Sequence, residues 1–199
     1  MGDPASIGPE IAIKALLNKS IYDSCNPLLV GDAVVFEAII KRLNLNVAIN
    51  IIKNVSEAQF NFGVIDVFDL HNIEISQFNF GEISAMAGEA AFQSVKKVIE
   101  LALAGDIDAT VTGPINKKSI NEAGHHYAGH TEIYADLTGT RKYAMLLVED
   151  NLKVIHVSTH VSLRQACDLV KKDRILEVVD LLQNGLISLG GTNLKIGIA

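Results

Sequence analysis

The 199-residue chain is short of several things, and each shortage excludes a class of function. Only two cysteines occur, Cys25 and Cys167. They stand too far apart for a zinc or redox spacing, so no disulfide scaffold is expected and a reducing, cytoplasmic setting is. Positive charge is in deficit: 17 Lys and Arg face 23 Asp and Glu, a net charge of −6. A nucleic-acid partner would need a basic face, which such a balance does not offer. Small anionic substrates stay open, because a few local cations decide that. No apolar run approaches a membrane span, and the N-terminus has no charged-then-apolar signal layout. Low-complexity tracts and internal repeats are also missing. What remains is the composition of a globular protein, 49% hydrophobic and 20% charged.

Strands and helices alternate through the first two thirds. Residues 1–10 read MGDPASIGPE, a tight loop whose Pro9 suits the first turn of a helix carrying Ile11, Ile13, Leu16 and Leu17. Such a loop serves either as a strand-to-helix turn or as an amide-lined ligand site. Short strands follow at residues 27–32, 47–52 and 64–70, with a helix over 33–43 between the first two. His71 reads as a solvated loop residue. Ser84 is placed to cap a helix running to Ala104, where Gly105 stops it. Gly88 and the alanines near it suggest close packing against a neighbour. This rhythm predicts an α/β fold with a parallel, doubly covered sheet. After residue 141 it changes. Apolar runs at 142–149 and 152–158, divided by Asp150-Asn151, predict an antiparallel hairpin. Ser162 then caps a short helix over 163–170, and a longer helix covers 173–189 with Ile175, Val178, Val179 and Leu182 inward. Residues 194–199 read as a buried strand.

The chain is organised around residues 109–132, ATVTGPINKKSINEAGHHYAGHTE. Residues 108–112 are predicted as a strand that breaks at Gly113-Pro114. Asn116 and Lys117 follow, then a short helix, then His130-Thr131-Glu132. Polar groups at strand ends and helix starts are where an open α/β sheet presents chemistry. Lys117 at a helix start reads as an anion contact or acid–base group, or as a solvated lysine; the helix dipole disfavours an idle cation there. His160 ends the second strand of the hairpin. Spacing alone leaves it either a metal ligand or a histidine bonded to backbone, and His156 is the nearest companion. His125 and His126, in a glycine-flanked loop, are expected to be exposed and inert.

The segments GDPASIGPE, GEISAMAGEAA, TGPINK, GHTE and the STH after the hairpin occur in one order and span nearly the whole chain. Together they resemble the 4-hydroxythreonine-4-phosphate dehydrogenase family of pyridoxal phosphate biosynthesis. The resemblance implies a three-layer α/β/α fold like that of isocitrate and isopropylmalate dehydrogenases, with two domains around a cleft, in a cytoplasmic homodimer. It implies oxidation of 4-phosphohydroxy-L-threonine with NAD or NADP and a divalent metal (zinc, magnesium or cobalt), then loss of CO2 to give 3-amino-2-oxopropyl phosphate. By the same resemblance His130 and Thr131 contact substrate and His160 binds the metal. Neither a nucleic acid nor a membrane is implied as a partner.

Ser6 departs from the family's pattern, which has glycine there; were φ positive at that position, serine would be strained. Set against the family, residues 1–124 would be part of a first domain and 125–199 the start of a second. A pattern that opens without a strand and closes on one leads us to expect a fragment of a longer protein. Two further metal-ligand histidines and most nucleotide contacts would then lie outside it. The competing readings are a sister dehydrogenase acting on 4-phospho-D-threonate or the erythronate, and an inactive product of an interrupted gene.

Overall fold

The computed structural model describes residues 1–199 and divides them into two compact units, Met1–Thr138 and Gly139–Ala199. The first unit holds α1 (Gly8–Leu16), α2 (Lys19–Ser24), β1 (Leu29–Gly31), α3 (Ala33–Arg42), β2 (Ala48–Ile52) and β3 (Val64–Asp69). It continues with α4 (Ala85–Ala104), α5 (Lys117–Glu122) and α6 (His130–Leu137). Its three strands form a parallel sheet in the order β1-β3-β2, with Leu29 opposite Val67 and Ile51 opposite the same residue on the other side. The α/β expectation therefore holds.

Burial follows the sheet. Ile65 and Val67 of central β3 pack with Ile13 and Leu16 of α1, Val35, Phe36 and Ile39 of α3, and Ala87 and Ala90 of α4. Of the four apolar residues expected on this helix, Ile11 and Leu17 are exposed. Only every third or fourth residue of a helix can face one neighbour, and Ile13 and Leu16 take that stripe. Asp32 fastens the strand ends. It caps α3 through a hydrogen bond from the Val34 amide (3.2 Å), and its Oδ2 accepts the amides of Asn72 (2.7 Å) and Ile73 (2.8 Å). Asp69 at the end of β3 accepts the Ala33 amide at 2.9 Å.

Helix α4 begins and ends where its own residues direct. The Ser84 hydroxyl accepts the Ala87 amide at 3.2 Å, and Gly105 closes the last turn with φ of +80°. At Gly88 the backbone of α5 crosses so closely that a Cβ would collide with the Ser119 carbonyl. That crossing is the close packing the small residues foretold.

Two expected strands do not form. Residues 108–112 carry no strand, and Val111 is 98% exposed. Residues 194–199 are likewise without secondary structure and mostly exposed. Apolar, β-branched residues favour a strand only when a neighbouring strand supplies hydrogen bonds, and here none pairs with either segment.

The second unit holds β4 (Leu146–Glu149), β5 (Leu152–Ile155), α7 (Leu163–Leu169) and α8 (Lys172–Ser188). β4 and β5 form the expected antiparallel hairpin, and Asp150 at its turn takes φ of +44°. Ser162 and Gln165 make a reciprocal capping box on α7. Arg174 of α8 donates to the Val157 and Tyr143 carbonyls at 3.1 and 3.0 Å and pairs with Glu177, so it ties α8 to the hairpin. Val178, Leu182 and Leu186 are its buried positions. No helix is long and apolar enough to cross a membrane.

Candidate functional site

Loops far apart in sequence meet in the first unit. The Asp3 amide donates to the Pro114 carbonyl at 2.9 Å. Gly2 holds φ of +76° there, and a side chain on it would strike the Gly113 and Pro114 carbonyls. Glycine is required on both counts. Ser6, in contrast, does not have a positive φ, so serine is unstrained where the family pattern has glycine. Asp3 is buried, and its Oδ1 accepts the Ala5 amide at 2.8 Å. Burial raises its pKa, while the hydrogen bond from the Ala5 amide works against that rise.

Asn116 is the joint between the Gly113-Pro114 turn and α5. Its Oδ1 accepts the amides of Lys118 and Ser119 at 2.9 and 3.1 Å. Asn116→Ala should therefore cost about 1 kcal/mol of stability, the usual loss for an N-cap, read as a lowered denaturant midpoint with an unchanged slope. Lys117 is exposed at the first position of α5 and makes no ion pair.

His130 is the first residue of α6. The helix is anchored by Ile133, fully buried against Phe92, Val95 and Ile99, and by a 2.8 Å hydrogen bond from the Tyr134 hydroxyl to Thr110 Oγ1. The His130 ring is half-buried, and its Nε2 is shut off from solvent without a hydrogen-bond partner. Burial lowers its pKa, opposed by the Gly113 carbonyl beside it. The neutral ring is thus favoured, and a neutral imidazole can both donate and accept. Thr131 is half-buried next to it.

A cleft of about 500 Å³ opens beside these loops, lined among others by Asp3, Ser6, Glu10, Arg42, Phe80 and Asn116. The Arg42 guanidinium sits 6.0 Å from the centre of the Phe80 ring. His130, Thr131 and Lys117 do not line it.

His160 belongs to the second unit, exposed, with φ of +58°. His156 in the same unit donates its amide to Met145 at 3.1 Å, and its Nδ1 is buried and unpartnered. No group of three His, Cys, Asp or Glu side chains stands close enough to hold a metal ion. A transition-metal site needs three or more protein ligands. These residues alone therefore do not make up the expected metal site.

One histidine differs from its expectation. His125 is not exposed and idle: its ring stacks on Phe92 with centroids 3.7 Å apart, and its Nε2 lies 2.7 Å from Glu89 Oε2. Those partners precede it by more than thirty residues, so no local pattern could reveal them. His71 and His126 are exposed, as expected. Both cysteines are exposed and free.

The family model described as "Pyridoxal phosphate biosynthetic protein PdxA" matches residues 23–199. A Clostridium botulinum relative named "Putative D-threonate 4-phosphate dehydrogenase" is 43% identical over all 199 residues. The chain spans 60% of that relative's length. Among solved structures, the chain is similar to a 4-hydroxythreonine-4-phosphate dehydrogenase from Burkholderia phymatum, with 38% identity and a TM-score of 0.88. It resembles another of that name from Klebsiella pneumoniae, with 39% identity and a TM-score of 0.88. Each match covers 96% of this chain and 58% of the solved one.

Proposed function

The chain belongs to the PdxA family of pyridoxal phosphate biosynthetic proteins, and from that premise we propose that the whole protein is a dehydrogenase for a phosphorylated hydroxy acid. Its substrate is 4-phosphohydroxy-L-threonine, oxidised with NAD or NADP and then decarboxylated to 3-amino-2-oxopropyl phosphate. It works as a cytoplasmic homodimer. The second reading replaces that substrate with 4-phospho-D-threonate, and the name carried by the Clostridium botulinum relative favours it.

The observation that supports a substrate role for this region is the His130 Nε2, buried and without a partner at the head of a helix. An unpaired buried nitrogen costs free energy, and a ligand hydroxyl or carboxylate that meets it recovers the loss. The amino end of α6 is also electrically positive, which suits an anionic substrate. His130 and Thr131 are assigned to hold the substrate. Lys117 is assigned to an anion contact or a proton transfer, and His160 contributes one imidazole to a divalent metal whose other ligands come from outside these residues. That metal (zinc, magnesium or cobalt) would supply Lewis-acid chemistry if bound.

The test is NADH or NADPH formation by the complete protein with each phosphorylated acid in turn, with divalent metal supplied. Turnover of the threonine derivative supports the first reading, and turnover of the threonate alone moves the assignment to the second. His130→Ala should raise KM about tenfold, the loss of one hydrogen bond of roughly 1.4 kcal/mol to a charged ligand. An unchanged KM would remove His130 from the substrate site.

A further inference from the structure

The loop that delivers α6, residues 123–129, has a glycine near each end: Gly124, with φ of +90°, and Gly129. Gly124 closes α5, with its amide on the Asn121 carbonyl and the His125 amide on the Ile120 carbonyl, each at 3.0 Å. Beyond that turn the loop is held by aromatic side chains. The His125 ring lies flat on Phe92 of α4, tilted by 15°. Tyr127 stacks on the same Phe92 at 5.9 Å, and its hydroxyl donates to Asp136 Oδ2 of α6 at 2.6 Å. Glu89 receives His125 on one oxygen, and its other oxygen accepts the Gln93 amide at 2.7 Å. Burial raises the pKa of Glu89, but the hydrogen bonds from Gln93 and His125 and the nearby positive charge outweigh it and leave the carboxyl below its ordinary value.

One side of this loop is therefore bolted to α4 and the other to α6. Helix α6 is only eight residues long and has one fully buried side chain, Ile133. Its first turn, which carries His130 and Thr131, depends on the loop for its aim. We propose that His125 is a positioning residue: by bonding Glu89 and stacking on Phe92, it fixes the loop so that His130 and Thr131 face the ligand. The proposal rests on the substrate role given to that pair above.

The test uses the complete protein with His125→Ala, His125→Phe and Glu89→Gln. The first readout is amide hydrogen exchange, which needs no substrate. In His125→Ala, exchange across residues 125–133 should quicken by about tenfold or more while the middle of α4 stays protected, a local opening rather than global unfolding. The second readout separates KM from kcat: KM should rise about fivefold with kcat within about twofold, because binding geometry is loosened and the reacting groups are intact. His125→Phe keeps the stack without the Glu89 bond and should recover part of both losses. Unchanged exchange and unchanged KM in His125→Ala would overturn the proposal. So would equal loss of protection throughout the first unit, which marks a merely structural role. Wild-type protein that turns over neither substrate overturns the functional reading, and the exchange data then decide whether the loop is clamped.

Discussion

Gly88→Val is expected to cost about 3 kcal/mol, at the upper end for overpacking of a closed interface. The obstacle is not a side chain that can turn aside. It is the Ser119 carbonyl on the backbone of α5, and the adjacent Ile120 amide nitrogen also lies inside contact distance. Two helices would have to separate, and Ser119 and Ile120, both buried, would lose their packing. In a protein of this size the midpoint of thermal unfolding should fall by on the order of 10 °C. Gly88→Ala should show a smaller drop of the same sign. An alanine variant as stable as the wild type would mean that the two helices are not seated this closely.

Asp32→Ala should be nearly as damaging, for an electrostatic reason. One carboxylate, 1% exposed, accepts backbone amides from Val34, Asn72 and Ile73. Removing it leaves buried donors without acceptors and strips α3 of its cap, at about 3 kcal/mol in total. Hydrogen bonds to an ionised acceptor are the stronger kind. Asp32→Asn keeps one carbonyl oxygen for the cap but offers an NH2 to the other amides, so roughly half the loss should persist. Denaturant unfolding of both variants measures the ratio. Equal stabilities of alanine variant and wild type would show that water replaces the carboxylate at no cost.

How much of this was legible in the sequence depended on how local each signal is. Helix α4 could be bounded from Ser84 and Gly105 because caps are satisfied within one turn. The hairpin was legible from two apolar runs either side of Asp150-Asn151. The strand expected over residues 108–112 was not reliable for the opposite reason. Its residues have the right chemistry, yet a strand exists only through its neighbours. His130 could be placed at a loop-to-helix junction from Gly129 and the residues after it. The unpartnered state of its Nε2 could not, since that depends on every surrounding atom. His125 fared worst, because Glu89 and Phe92 reach it from another helix. Ser6 shows a residue comparison without geometry raising a strain that the backbone does not contain.

The bond from the Asp3 amide to the Pro114 carbonyl has a consequence for the order in which the chain takes shape. The opening loop leaves the ribosome before the turn that receives it, and more than a hundred residues must be added before the two can meet. At about 5–20 residues per second, that is a wait of roughly 5 to 20 s. Sheet and α3 can assemble meanwhile, since β1, β2 and β3 all lie between the partners. The motif at the very start of the chain is thus among the later parts of the first unit to be locked, and closing so long a loop carries an entropy cost that the earlier contacts must already have reduced.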